Sequence, residues 1–208
     1  MTQKLYLEDM YRQEFTAKVI AIEGNKVLLD QTCFFIQSCG QSGDCGELNS
    51  IRVLETQKGD WHLLAKEPTF KIGDMIPGKI DWSKRYPTMR LHSASHIVEH
   101  FLQKTSGPGK MLKTSVNHKR DLTDYTMPFP TLEAQQEITR CANELISKNT
   151  PILIETDEKG YRHWRCGEIQ MGCGGTHVKN TSEIGVVQIM FEDKGGGIVR
   201  VTTTLQNP

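Results

Sequence analysis

The chain has 208 residues, with 25 Lys plus Arg against 25 Asp plus Glu, so its formal net charge is zero. That length holds one large domain or two small ones, each with a real core. The zero balance excludes a global electrostatic funnel for a polyanion, so such a partner must be gripped by local patches.

Apolar residues make up 37% of the chain and recur along its whole length, which argues against disorder. No apolar run reaches bilayer thickness, and no basic start leads into an apolar signal segment. The expectation is a soluble, cytoplasmic protein with no membrane partner; its oligomeric state stays open, with a monomer slightly favoured.

In chain order, the first 82 residues read as β. Phe15–Ile22 is rich in β-formers, and Val27–Leu29 follows across a Gly24-Asn25 turn. Ile51–Leu54 and Trp61–Leu64 make a second pair around Lys58-Gly59-Asp60. Short strands at this spacing predict a small barrel, with Gly73, Pro77 and Gly78 punctuating its end. Between the hairpins lies a loop of small residues, Ser38 to Gly46.

From residue 83 the pattern changes. Leu91, Ala94, Val98, Phe101 and Leu102 recur with helical period until Gly107-Pro108-Gly109. A second helix is expected from about Leu132 to Lys148, with Thr131 as N-cap and Pro151 blocking continuation. Ile152–Ile154 and then Val186–Phe191 and Ile198–Val201 read as strands, the last two forming a hairpin around Gly195–Gly197. The expected architecture is α+β: a small N-terminal β-barrel (1–82), then a domain with helices on a mainly antiparallel sheet (83–208).

Six cysteines are present. Without a secretory signal they read as reduced thiols, and no C-x-x-C pair suggests a zinc ribbon or redox motif. His92 and His96 stand four apart on the first helix, so both imidazoles leave one face and can grip one ion. Met171-Gly-Cys-Gly-Gly-Thr-His177 places Cys173 and His177 in a glycine-rich bend. The plain alternatives are two satisfied histidines and a turn with a buried cysteine. One thiolate with three imidazoles is a borderline-soft set that suits Zn²⁺ over Mg²⁺ or Ca²⁺. The H-E-x-x-H pattern of metallopeptidases is absent, because Ser93 follows His92.

Arg90-Leu-His-Ser-Ala-Ser-His96 and the run from Cys173 to Gly185 (C-G-G-T-H-V, then T-S-E-I-G) together resemble the editing domain of alanyl-tRNA synthetase. Leu5-Tyr-Leu-Glu-Asp9 and the stretch Leu28–Phe35 resemble the start of the free-standing, medium-length AlaX proteins, which join a small barrel to that domain. The resemblance spans nearly the whole chain. One departure falls in the barrel loop: where the family has G-G-G-Q-P-x-D, this chain has Ser38, Cys39, Gly40, Gln41, Ser42, Gly43 and Asp44.

The resemblance implies a trans-editing hydrolase for mischarged tRNA(Ala), chiefly Ser-tRNA(Ala), with Gly-tRNA(Ala) a second candidate. It implies one Zn²⁺ per chain, held by His92, His96, Cys173 and His177. A catalytic zinc usually has three protein ligands, so four candidates are one too many unless one is loose. The reading from another class is a non-catalytic RNA-binding module with a closed structural zinc.

Ala is smaller than Ser, so no steric sieve can spare Ala while admitting Ser. The site must require the serine hydroxyl. Thr114, Ser115 and Gln41 are candidate partners for it, and Gly40 and Asp44 belong to the loop that the family links to discrimination. For tRNA, the candidates are Lys110, Lys113, Lys119, Arg120 and Arg200, with Trp164 placed to stack on an unpaired base.

Overall fold

A computed structural model describes residues 2–206. The chain divides into two compact units. One comprises the chain up to Ser38 together with Ser42–Arg85; the other comprises Cys39–Gln41 and the chain from Tyr86 onward.

In the first unit the strands are β1 (Gln3–Lys4), β2 (Glu14–Glu23), β3 (Lys26–Leu29), β4 (Gln31–Thr32), β5 (Gly46–Leu48), β6 (Ile51–Gln57), β7 (Trp61–Leu64) and β8 (Met75–Ile80). Period-two patterning decides their faces: Phe15, Ala17 and Val19 of β2 are buried while Glu14, Thr16 and Lys18 are exposed. Six strands close into an antiparallel barrel in the order β2-β3-β7-β6-β5-β8, as the spacing predicted. Phe15, Val27, Leu29, Phe34, Leu48 and Leu64 fill it. Pro77 and Gly78, expected as punctuation, instead lie within β8. Pro77 points outward, and its carbonyl accepts from the Asn49 N–H at 2.8 Å. At Gly78 an added Cβ would come 2.5 Å from the Phe15 ring, so only glycine fits there.

The polar groups buried in this unit satisfy one another. His62 meets the Thr32 hydroxyl at 2.9 Å and the Val27 carbonyl at 3.3 Å. Burial holds its imidazole down at about 4. Asp44 forms an ion pair with Arg85 at the start of the long helix and accepts from the Phe35 N–H at 2.7 Å. Arg85 also donates to the Cys33 carbonyl at 2.7 Å.

The long helix is α1 (Trp82–Ser106), followed by β9 (Lys110–Val116), β10 (Asp121–Thr126), α2 (Leu132–Ser147), β11 (Ile152–Thr156), β12 (Arg162–Cys166), β13 (Ile169–Gly172), β14 (Val187–Asp193) and β15 (Ile198–Leu205). β14-β15-β10-β9 form one antiparallel sheet and β11-β12-β13 another. The sequence pattern predicted an apolar stripe on α1, yet Thr88–Leu91 and the stretch His92–Val98 are buried almost all round, as in a central helix. On α2 the Thr131 side chain accepts from the Ala134 N–H at 3.3 Å, as expected of an N-cap. Its end comes at Asn149 in the left-handed conformation, φ 53°, before Pro151 is reached. Among the described residues no helix is long and apolar enough to cross a membrane.

Candidate metal centre

Helix α1 carries His92 and His96 into the interior of the second unit, four residues apart on one face. The bend after β13 brings Cys173 and His177 to meet them. All four side chains are buried, and their ligating atoms lie within 4.8 Å of one another. Cys173 Sγ stands 3.4 Å from His92 Nε2 and 3.3 Å from His177 Nε2. A tetrahedral zinc with ordinary bond lengths separates its nitrogen and sulfur ligands by about 3.5 Å, so the spacing fits one small ion.

The hydrogen bonds around the rings aim the right nitrogens. Gln41 Oε1, an acceptor, lies 2.8 Å from His92 Nδ1, so the hydrogen sits on Nδ1 and the Nε2 lone pair faces Cys173. Gln41 is itself fixed, because its Oε1 accepts from the Thr176 N–H at 2.9 Å and its Nε2 donates to the Thr176 hydroxyl at 2.8 Å. Ser93 donates to the Met89 carbonyl at 2.9 Å, which leaves its oxygen to accept from His177 Nδ1 at 3.2 Å. His177 Nε2 is thereby freed toward Cys173. Such outer partners hold ligating imidazoles in one tautomer. His96 differs: neither of its ring nitrogens has a hydrogen-bond partner among the described residues. A buried imidazole with no partner is costly unless something binds it.

Burial pushes His92 and His177 well below the usual imidazole range and His96 down to about 4. All three are therefore neutral at physiological pH, the form that binds metals. Burial also pushes the Cys173 thiol up to about 11; a divalent cation beside it would favour the thiolate. The donor set thus fits a borderline-soft divalent ion.

Gly175 is required by close approach. A Cβ there would stand 2.2 Å from His92 Cε1. Gly40 has φ 73°, and a Cβ on it would fall 2.4 Å from Thr114 Cγ2. The loop Cys39–Gln41 docks through the Val116 N–H, which donates to the Gly40 carbonyl at 2.8 Å. Cys39, where the sequence lacks the glycine of the resembling motif, still adopts φ 50°.

Beside these four candidate ligands opens a cleft of about 510 Å³. Its lining includes Cys39, His92, His96, Thr114, Cys173 and, from β10, Thr123 and Tyr125. Of the discrimination candidates, Thr114 lines this cleft, Gln41 orients His92, and Gly40 packs against Thr114. Ser115 neighbours Thr114 on β9 outside the cleft lining. Asp44 belongs to the first unit, with its oxygens engaged by Arg85 and Phe35.

Residues 165–202 match the family described as the threonyl and alanyl tRNA synthetase second additional domain. The chain is 33% identical to the alanyl-tRNA editing protein AlaX-M of Pyrococcus horikoshii, covering 90% of each chain. It is 31% identical to AlaX-M of Saccharolobus solfataricus over 99% of this chain and all of that one. This chain belongs to the AlaX-M family of alanyl-tRNA editing proteins. It is also 35% identical to the alanine–tRNA ligase of Sulfurisphaera tokodaii, but spans only 26% of that protein's length.

Seen as an AlaX-M chain, one sequence expectation needs correction. Trp164 is 0% exposed and its ring lies 5.0 Å from that of His96. It backs the His96 imidazole and offers no face for a nucleobase, because alternation along β12 turns it inward. Lys110, Lys113, Lys119 and Arg120 are exposed. Arg200 makes two hydrogen bonds to Asp124, at 2.8 and 2.9 Å, so its charge is compensated locally. Residues the sequence reading missed include Ser93, Thr176, Asp121, Thr123 and Tyr125. For the last three the signal was present: Asp, Thr and Tyr at alternate positions of one strand share a face.

Proposed function

We propose that this chain is a trans-editing aminoacyl-tRNA deacylase that hydrolyses the ester of mischarged tRNA(Ala), chiefly Ser-tRNA(Ala), with zinc as its metal. The observation that carries the reading is the buried His92, His96, Cys173 and His177 cluster opening onto a cleft, in a chain related end to end to proteins named for alanyl-tRNA editing. His92, Cys173 and His177 are the tight trio. His96 stands apart, its ring 5.2 Å from each of the other two imidazoles, which are 4.4 Å from each other. His96 is the fourth, looser ligand in this reading.

When zinc is bound, the chemistry it supplies is Lewis-acid activation of an ester carbonyl or an attacking water. The chain's own part is positional. Gln41 and Ser93 hold two imidazoles in the ligating tautomer, Trp164 and the burial around it exclude bulk water from one side, and the Thr114 hydroxyl stands at the cleft wall to meet the seryl side chain. The exposed Lys110, Lys113, Lys119 and Arg120 supply the local phosphate contacts that a chain of zero net charge needs. Arg200, already paired with Asp124, contributes less.

The test has two readouts: metal content by elemental analysis, and deacylation of tRNA(Ala) charged separately with Ser, Gly and Ala. Zinc near one equivalent, lost together with hydrolysis in His92→Ala and Cys173→Ala, is expected. Bound zinc without deacylation of any charged tRNA would favour a structural metal in an RNA-binding module instead.

A further inference from the structure

A second polar cluster lies behind the cleft wall, apart from the ligating residues. Strand β10 turns Asp121, Thr123 and Tyr125 inward, and all three are buried. Thr123 and Tyr125 reach the cleft together with Thr114 and Glu99, whereas Asp121 is outside its lining. The Thr123 hydroxyl lies 3.0 Å from Thr114 Oγ1 and 3.3 Å from Asp121 Oδ1. Asp121 is 3% exposed. Its surroundings are Val116 of β9 and Thr203 of β15 across the ladder, and the carboxyl of Glu99 on α1.

Hydroxyl hydrogens rotate, so the acceptors around them decide where they point. Each hydroxyl owns one hydrogen, and a carboxylate can only accept. The Thr123 hydrogen therefore goes to Asp121, the strongest acceptor in reach. The hydrogen of Thr114 then has the Thr123 oxygen as its inward acceptor, 3.0 Å away. With it committed inward, Thr114 shows the cleft only lone pairs. Burial pushes the Asp121 carboxyl up to about 7, so the acceptor-only carboxylate prevails above that pH.

We propose that Asp121 and Thr123 are positioning residues that fix Thr114 as a pure hydrogen-bond acceptor, so that the cleft recognises the O–H of a β-hydroxy aminoacyl ester. The inference rests on the editing reading above. It locates the selection between Ser and Ala in the direction of a hydroxyl chain; the presence of Thr114 is not enough. An alanyl ester leaves the oriented acceptor unpaired, and an unpaired buried polar group is what makes such selection steep.

The experiment measures single-turnover deacylation of Ser- and Ala-charged tRNA(Ala), about one pH unit above the Asp121 midpoint. Wild type is compared with Thr123→Val, Thr123→Ser and Asp121→Asn. Thr123→Val keeps the volume and removes the hydroxyl. It should lower the Ser-over-Ala ratio about tenfold, the scale of one hydrogen bond. Thr123→Ser should restore the ratio. Asp121→Asn should lower it too, because its amide donates to Thr123 and lets the Thr114 hydrogen turn outward.

An unchanged ratio in Thr123→Val overturns the proposal. So does a parallel fall of both rates that Thr123→Ser does not rescue, since that is a packing effect. If Asp121→Asn fails to fold, the Val and Ser variants at position 123 still decide. A wild-type chain inert on Ser-tRNA(Ala) overturns the editing reading itself, an outcome distinct from either of these.

Discussion

Both units bury polar side chains, but in opposite ways. In the barrel, His62 is bonded through both ring nitrogens and the Asp44–Arg85 pair is closed by neighbouring backbone groups. Among the described residues, every buried side-chain nitrogen and oxygen there finds its partner within the fold. In the second unit three imidazoles and a thiol converge, and among the described residues His96 has no partner for either nitrogen. A closed network holds a chain together, whereas an open one is held together by the chain. Buried polarity alone therefore does not mark a site; converging donor atoms with an unpartnered imidazole among them do.

The proposed metal gives the sharpest way to break that contrast. Chelation, or Cys173→Ala, should abolish deacylation by about a thousandfold or more, since metal activation contributes several kcal/mol to the barrier. Elemental analysis beside the rate is the check. Arg85→Ala should do the reverse: activity per folded molecule is retained while urea unfolding reports a loss of about 3–5 kcal/mol, because Asp44 is left charged and buried.

Acid should find the barrel through His62. Its folded pKa, about 4, lies below the ordinary value of 6.5, so the unfolded state binds the extra proton. The stabilising contribution is complete above about pH 6.5 and is lost as pH falls toward 4, with a ceiling of about 3 kcal/mol. A urea midpoint that does not fall over this window would refute that account.

Smaller still, Gly40→Ala should cost about 1–3 kcal/mol in the same assay, from its left-handed backbone and the collision with Thr114. It should also disturb the Ser-over-Ala ratio. Last, Cys39→Gly should raise stability by up to about 1 kcal/mol by relieving a non-glycine residue at φ 50°. A melting temperature unchanged or lower in that variant would place the strain elsewhere.

Much of the barrel was legible because hairpins announce themselves locally: alternating β2, a two-residue turn, then β3. The strand β8 was misread because Pro77 and Gly78 usually end strands, and the glycine is explained by the Phe15 ring and the Leu48 side chain on neighbouring strands. β12 was not anticipated, since Arg162-His-Trp-Arg-Cys166 looks polar and becomes a strand only through its pairing with β11 and β13. Trp164 was misassigned for the same reason, because which way it points is a property of that pairing.

The four ligand candidates were legible because their chemistry and spacing are written in two short motifs, one on a helix face and one in a bend. Gln41 was noticed as a loop residue, but its work on His92 spans 51 positions of chain. No local pattern carries that.

The primary structure alone determined the kinds of donor present, the helical and alternating periods, and the zero balance of charge, since all of these are properties of residues and their near neighbours. Only the tertiary structure decided which nitrogen of His92 and of His177 faces inward, that Trp164 is shut away, and that Asp121 stands behind Thr114. Those facts depend on contacts between segments far apart in the chain, and such contacts exist only once the backbone has closed around them.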